Sequence, residues 1–351
     1  MTPAEGVFFP LDRQLNIQER NWSESLIREA IWLSGVSESY ERAEEILVRI
    51  GKHEMSDSTI WNQVKKRGSK LQEAEEERKA RAIALPRVGE RPRQPSPSAD
   101  RMGVAMDGGM VHIRDEGWKE FKTGVVFEIE QRLVRDPETD TWSEQPYASS
   151  NSYVAHLGEA HSFGPLIWAE AQSRGWEDAR ETQTIGDGAS WIWNLADEYF
   201  PLSVRTVDWY HASEYLHDTA KLLYPSTPSA SKRWFNQAET MLFQGQAESI
   251  VDSVVGKMEA KPELNIDDLA SNNTYFRNNY KRMQYMEFRE DGFLIGSGVV
   301  ESAIKQFKAR FTGPGMRWSR PGLQRLIPIR AAVLSDSFDS LWDSVFPPPP
   351  N

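Results

Sequence analysis

Between residues 181 and 211 the chain reads ETQTIGDGASWIWNLADEYFPLSVRTVDWYH: two strand-like apolar runs, separated by a Trp-rich helical stretch, each closed by an aspartate. A strand-helix-strand order of this kind points to the α/β class, in which ligands bind where strands end at one edge of a sheet. Asp187 and Asp208 are thereby delivered to the same edge. Asp and Gly also close ordinary turns, so the remainder of the chain has to separate a turn from a site.

Upstream, residues 24–34, 38–50 and 57–67 each carry apolar residues at helical spacing. The second and third are joined by GKHEMS, with Ser56 placed as an N-cap and Lys65, Lys66 and Arg67 at the end of the third. This is the outline of a helix-turn-helix, whose second helix would enter the major groove; a plain three-helix bundle with a solvated basic face fits the same residues. EAEEERKARA continues as a charged helix or solvated run, and ALPRVGERPRQPSPSAD reads as a linker. Three strand-like runs follow (GVAMDG, MVHIRD, KTGVVFEIEQRL), the pattern of an antiparallel meander, with EIEQRLVRDPETDTWSE as a solvated hairpin and a helical stretch over roughly 152–174. Residues 213–290 read as mostly helical. Two helices close the chain, the second capped by Ser319 with Pro321 near its start.

The expected organisation is a helical DNA-binding region (1–72), a charged and Pro-rich linker (73–100), a catalytic domain in two parts (101–212 and 291–346) interrupted by a helical insertion (213–290), and a short tail (347–351). The expected fold class is α/β with a mixed sheet, plus an all-α N-terminal region.

Composition removes several chemistries. The 351 residues contain no cysteine, which excludes disulfides, thiolate metal sites and a cysteine nucleophile, and suits a reducing cytoplasm. The start of the sequence shows no basic stretch followed by an apolar one, and no run of about 18 apolar residues occurs, so a cytoplasmic chain without membrane spans is expected. A net charge of -11 argues against nucleic acid as a partner until its distribution is considered. From Ser302 to Arg330 there are seven basic residues (Lys305, Lys308, Arg310, Arg317, Arg320, Arg325 and Arg330) and no acidic one, and KKRGSK at 65–70 is a second basic cluster.

Three carboxylates carry the chemistry. Asp107 ends the first run of the meander and Asp187 the fourth strand; placed side by side they would repel unless cations neutralised them. Hard divalent cations prefer oxygen ligands, and a pair of them can clamp both oxygens of a phosphodiester undergoing displacement. Glu301, in GSGVVESAIKQF, is the candidate third ligand, on a helix that the Gly-Ser-Gly turn would leave hinged.

Taken together these segments resemble the transposases of bacterial insertion sequences with a ribonuclease H-like DDE catalytic domain, most closely the ISKra-type group. AMDGGMVHIRDEGWKEFKTG is similar to the first-aspartate block, IGDGASWIWN with DWYHASEYL to the second, and GSGVVESAIKQFKARFTGPGMRWS to the glutamate block; FFPLDRQLNI and the stretch from AEEILVRIG to STIWNQVKKRG extend the likeness over most of the chain. Relatives can carry a cysteine-bearing segment upstream of the FFPLDRQ-like stretch, where this sequence starts. The resemblance implies a ribonuclease H-like sheet with a helical insertion, catalytic and metal-binding roles for Asp107, Asp187 and Glu301, and two Mg²⁺ (or Mn²⁺) ions. It also implies double-stranded DNA as partner, in the form of terminal inverted repeats and target, and a homodimer or higher oligomer on that DNA. Asp208 and His211 resemble the Asp-x-x-His signature of Mutator-like transposases; beside the site, His211 is expected as a buried hydrogen-bonding residue.

The expected DNA contacts are Lys65, Lys66, Arg67, Lys305, Lys308, Arg310, Arg317 and Trp318. Trp191 and Trp193, two residues apart on a helix, are expected to divide between core and surface. Two rival readings remain at this point: a catalytically silent, transposase-derived DNA-binding regulator, and a carbohydrate-active enzyme, since paired carboxylates and 13 tryptophans also suit a glycosidase.

Overall fold

The computed structural model describes residues 22–84, 100–135, 140–260 and 266–347. The FFPLDRQLNI segment, the Pro-rich half of the expected linker (85–99) and the tail from residue 348 lie outside the described residues.

At the centre is a five-stranded mixed sheet of order β3-β2-β1-β4-β5. Strands β1 (Arg101–Ile113), β2 (Gly117–Arg135) and β3 (Trp142–His156) pair antiparallel, while β4 (Glu181–Gly186) and β5 (Val204–Val207) run parallel to β1. The meander therefore differs from the expected one. GVAMDG and MVHIRD are a single strand, because Gly108 and Gly109 are not a turn but gaps in the side-chain rows. A Cβ on Gly108 would come within 2.0 Å of Glu120 Oε1, and one on Gly109 within 2.5 Å of the Phe121 ring, so both side chains lie across β1. Likewise β3 occupies the expected hairpin and runs through residue 156, where a helix was expected from about 152; helix α4 spans only Ala160–Ser173. As an edge strand that is half-exposed along most of its length, β3 lacks the alternation that reveals a strand in sequence.

Both faces of the sheet are covered. Met102, Val104, Met106, Val126 and Val154 pack against Phe163, Leu166 and Ile167 of α4 and Ile192 of α5 (Ser190–Tyr199). The opposite face, with Ala105, Val125, Phe127 and Ile185, receives Val300 and Ala303 of α11 (Gly298–Phe311). Further along that face Val111, Ile113 and Phe121 meet Phe307 and Phe311 of α11, and Leu323 and Leu326 of α12 (Arg320–Leu334). Each buried Phe or Leu here contributes about 1.5–3 kcal/mol. Ser319 Oγ accepts from Gly322 N at 3.3 Å, the cap expected at the start of α12.

Between β5 and α11 the elements among the described residues are helices, including α6 (Trp209–Leu223), α7 (Pro228–Phe243), α8 (Ala247–Ala260), α9 (Ile266–Asn279) and α10 (Tyr285–Glu290). Their buried residues, among them Trp234, Leu242, Ile250 and Phe276, form one continuous core with the α4 and α5 face.

The N-terminal helices are α1 (Glu24–Val36), α2 (Tyr40–Ile46, continued by a π-turn over Leu47–Gly51) and α3 (Asp57–Ala84); α13 (Phe338–Val345) closes the described chain. Ser23 and Ser56 cap α1 and α3 through Leu26 N and Thr59 N, each at 3.3 Å. Helix α3 passes straight through the expected boundary at residue 72. Its charged second half conceals a sparse inner stripe in which Leu71, Lys79 and Ala82 are buried. Nor do these helices stand apart from the sheet. A Cβ on Gly35 would reach Ile329 Cγ2 at 2.9 Å and one on Gly68 the Arg325 carbonyl at 2.9 Å, so α1 and α3 both press directly onto α12.

Candidate active site

The site arises where β1 outlasts its neighbour. The parallel pairing of β1 with β4 ends at Ala105 and Ile185, two residues before Asp107 and Asp187 respectively. By strand alternation Asp107 and Asp187 lie on the face of Ala105 and Ile185, the face α11 covers. Asp208 follows the last residue of β5, and its N–H donates to the Gly186 carbonyl at 2.8 Å, which sets it beside Asp187.

Each carboxylate is held locally. Asp107 Oδ1 accepts from Gly108 N at 2.6 Å, and Asp187 Oδ1 from Ala189 N at 2.8 Å. Burial pushes the half-buried Asp107 carboxyl up to about 6; the Gly108 N–H opposes this, the Asp187 charge adds to it, His211 opposes it and Glu301 adds to it. Asp107 thus feels both partners named by the sequence. Gly188 adopts φ +104 where a Cβ would come within 2.5 Å of Tyr275, whose hydroxyl donates to the Asp187 carbonyl at 3.0 Å. Tyr275 stacks on Tyr215 with ring centroids 3.9 Å apart, tying the insertion to the site. Neither tyrosine is legible from the sequence as a site residue, since Tyr215 of α6 and Tyr275 of α9 sit in ordinary helix patterns and meet only in the fold.

Asp208, His211 and Glu301 converge. One carboxylate oxygen or ring nitrogen from each lies within 4.8 Å of the others. Asp208 is wholly buried and caps α6, accepting from His211 N at 2.9 Å through Oδ1 and from Ser297 N through Oδ2. His211 is not the buried residue expected: its side chain is 34% exposed, with Nδ1 3.9 Å from Glu214 Oε2. The Gly-Ser-Gly turn before Glu301 is no free hinge either. Gln183 of β4 donates to the Leu294 carbonyl at 2.6 Å and accepts from Leu294 N at 3.1 Å, Trp209 N donates to the Ile295 carbonyl at 2.8 Å, and Asp208 holds Ser297. Gly296 contributes by closeness, since its Cβ would sit 3.3 Å from the Tyr210 ring.

The expected DNA contacts divide. Lys65, Lys66, Lys305 and Arg317 are exposed and Lys308 half-buried. Arg67 is not a surface residue: it pairs with Glu24 at 2.6 Å, the two side chains being 4% and 13% exposed. Arg310 is likewise internal, donating to the Ser34 carbonyl at 2.8 Å and the Glu38 carbonyl at 3.3 Å, with its guanidinium 4.8 Å from the Tyr40 ring and 5.0 Å from the Trp318 ring. Trp318 is half-buried and donates Nε1–H to the Phe311 carbonyl at 2.9 Å. All three are joints inside the protein, where aromatic faces and carbonyls replace the water that a cation would otherwise need. Of the two helix tryptophans, Trp193 is buried, while the ring of half-buried Trp191 receives Lys122 Nζ at 4.3 Å.

Residues 171–339 match an uncharacterised protein family (UPF0236). The matched stretch contains Asp187, Asp208, His211 and Glu301 and begins downstream of Asp107. None of the curated proteins matches the chain. No helix among the described residues is long and apolar enough to cross a membrane.

Proposed function

We propose that the protein is a DDE transposase that binds the ends of an insertion sequence and carries out metal-dependent DNA strand cleavage followed by strand transfer. The observation that carries this reading is that Asp107 of β1 and Asp187 just past β4 lie on the sheet face that α11 covers, with the Asp187 and Glu301 charges both acting on the Asp107 carboxyl. Further support comes from the strand order β3-β2-β1-β4-β5 with only β2 reversed, which agrees with a ribonuclease H-like domain, and from an insertion between the second Asp and the Glu that contains only helices and turns among its described residues.

The donor set fits hard divalent cations, because all three side chains offer carboxylate oxygens and Asp107 is disfavoured as an anion without a counter-charge. Asp107, Asp187 and Glu301 would hold Mg²⁺ or Mn²⁺, which supplies Lewis-acid activation of water and of the freed 3′-hydroxyl. The backbone N–H groups of Gly108 and Ala189 fix two of these carboxylates in place, and Tyr275 holds the Asp187 backbone so that the donors are preorganised. No covalent enzyme intermediate is required.

Recognition of the DNA ends falls to the α2-turn-α3 pair, used as a helix-turn-helix, with Asn62, Lys65 and Lys66 on the exposed face of α3. Lys305, Lys308 and Arg317 extend the cationic surface from α11. The test is cleavage of a labelled duplex taken from DNA flanking the coding gene, with the full chain, in Mg²⁺ and in chelator. Mg²⁺-dependent nicking at a fixed position is expected. Footprinting without cleavage would select the silent regulator, and a metal-free activity on glycans would select the carbohydrate-active reading.

A further inference from the structure

We propose that Asp208, His211 and Glu301 form a cation position distinct from the Asp107–Asp187 pair, suited to a divalent metal that accepts mixed nitrogen and oxygen donors, such as Mn²⁺, Co²⁺ or Zn²⁺, through one imidazole nitrogen and two carboxylates. The inference shares Glu301 with the transposase reading and otherwise rests on its own geometry.

Three observations support it. First, the ligand atoms already converge, all within 4.8 Å of one another, from the starts of two different helices. Second, the supporting shell is built. Both oxygens of buried Asp208 accept backbone N–H bonds, from His211 and Ser297, which leave lone pairs on each oxygen for a metal. The same bonds, with Gln183 and Trp209 holding Leu294 and Ile295, fix the approach of α11 and hence of Glu301. Third, the Tyr285 hydroxyl is wholly buried with no hydrogen-bond partner, and the Tyr285 ring lies 4.8 Å from that of Trp209, the residue next to Asp208. A buried donor left unpaired is unusual, and water bound to a cation at this position would accept a hydrogen bond from it.

The ligand types set the selectivity. Mg²⁺ seeks six oxygens, whereas an imidazole favours later divalent metals. Position within the fold adds a role: this cation would lock the start of α6 to the start of α11, and so hold Glu301 in place for the neighbouring pair.

The test is electron spin-echo spectroscopy of the full-length protein loaded with Mn²⁺, which detects a coordinated imidazole nitrogen directly. His211→Gln is suitable because it keeps the backbone N–H that caps Asp208 and removes a partly exposed ring. The wild type is expected to show nitrogen modulation, His211→Gln to lose it and to bind Mn²⁺ at least about tenfold more weakly, and Asp107→Asn to retain it. Absence of nitrogen modulation in the wild type, or its persistence in His211→Gln, would overturn the proposal. Failure of the transposase reading registers separately, as absent DNA cleavage with the nitrogen signal intact.

Discussion

The carboxylates at 107, 187, 208 and 301 and the basic residues between 302 and 330 stand out in the sequence with similar force, and the fold treats them in opposite ways. Around Asp107 the acidic groups come together with backbone N–H groups and one histidine for company. Along α11 and α12 the cations are largely consumed by the protein. Arg310 fills an aromatic and carbonyl cage, Arg330 donates to the Gly35 and Gln306 carbonyls at 2.7 Å each, and Arg320 pairs with Glu116 at 2.7 Å. A basic residue is available to an outside anion only where the fold leaves it at the surface. Neither the -11 net charge nor the seven-cation stretch distinguishes a joint from a surface.

This contrast can be broken at several points. The largest effect is expected at the carboxylates. Asp107→Asn, Asp187→Asn and Glu301→Gln should each reduce cleavage by at least roughly a hundredfold to a thousandfold with end binding retained, because only donors to a cation are lost. A variant that cuts at near-wild-type rate in Mg²⁺ removes that residue from the site.

Next come two cations of the KKR cluster, Lys65 and Arg67. Arg67→Ala leaves Glu24 buried and unpaired and should cost about 3–5 kcal/mol of stability. Lys65→Ala, on the exposed face, should change it by less than about 0.5 kcal/mol. Equal denaturation midpoints for the two variants would mean that Arg67 is not the joint described.

Salt dependence offers a finer measure. Every DNA phosphate deprived of its lysine should lower the slope of log K against log salt by about 0.9, so neutralising Lys65 and Lys66, or Lys305 and Lys308, should flatten it while Arg310→Ala acts through folding instead. An unchanged slope would reduce those lysines to a solvated face.

The smallest effect concerns the joint between the N-terminal helices and the sheet. Glu75 of α3 lines the cleft beside Tyr153, Glu170 and Ser335, and burial raises its carboxyl from 4.5 to about 7 despite Arg78 and Lys79. A raised carboxyl favours the protonated form in the folded state. Its contribution to stability is therefore full below about pH 4.5 and is lost as the pH rises to 7 and beyond. Relative to Glu75→Gln, the wild type should lose thermal stability between about pH 5 and 8; parallel melting profiles would place Glu75 in water.

Much of the candidate site's geometry was readable because it depends on local rules. A strand followed by Asp-Gly and a helix start fixes where Asp187 lies, and a basic amphipathic helix with a carboxylate in its first turn fixes Glu301. Less readable were features set by neighbours. Gly108 and Gly109 resemble a turn until the side chains of Glu120 and Phe121 are seen lying over them. The β3 strand is polar because it lies at an edge, and the second half of α3 looks solvated because its inner stripe is sparse. The enclosure of Asp208 is set by neighbours too: the sequence places it before a helix, but the loop at 294–297 comes from far along the chain to meet it.

The central claim is that side chains from β1, β4 and α11 jointly hold divalent cations, and anomalous diffraction from crystals of the full chain soaked in Mn²⁺ tests it most directly. The account predicts manganese peaks within coordination distance of Asp107, Asp187 and Glu301, lost in Asp187→Asn. Manganese bound only away from these three carboxylates, or none bound at millimolar concentration, would contradict it.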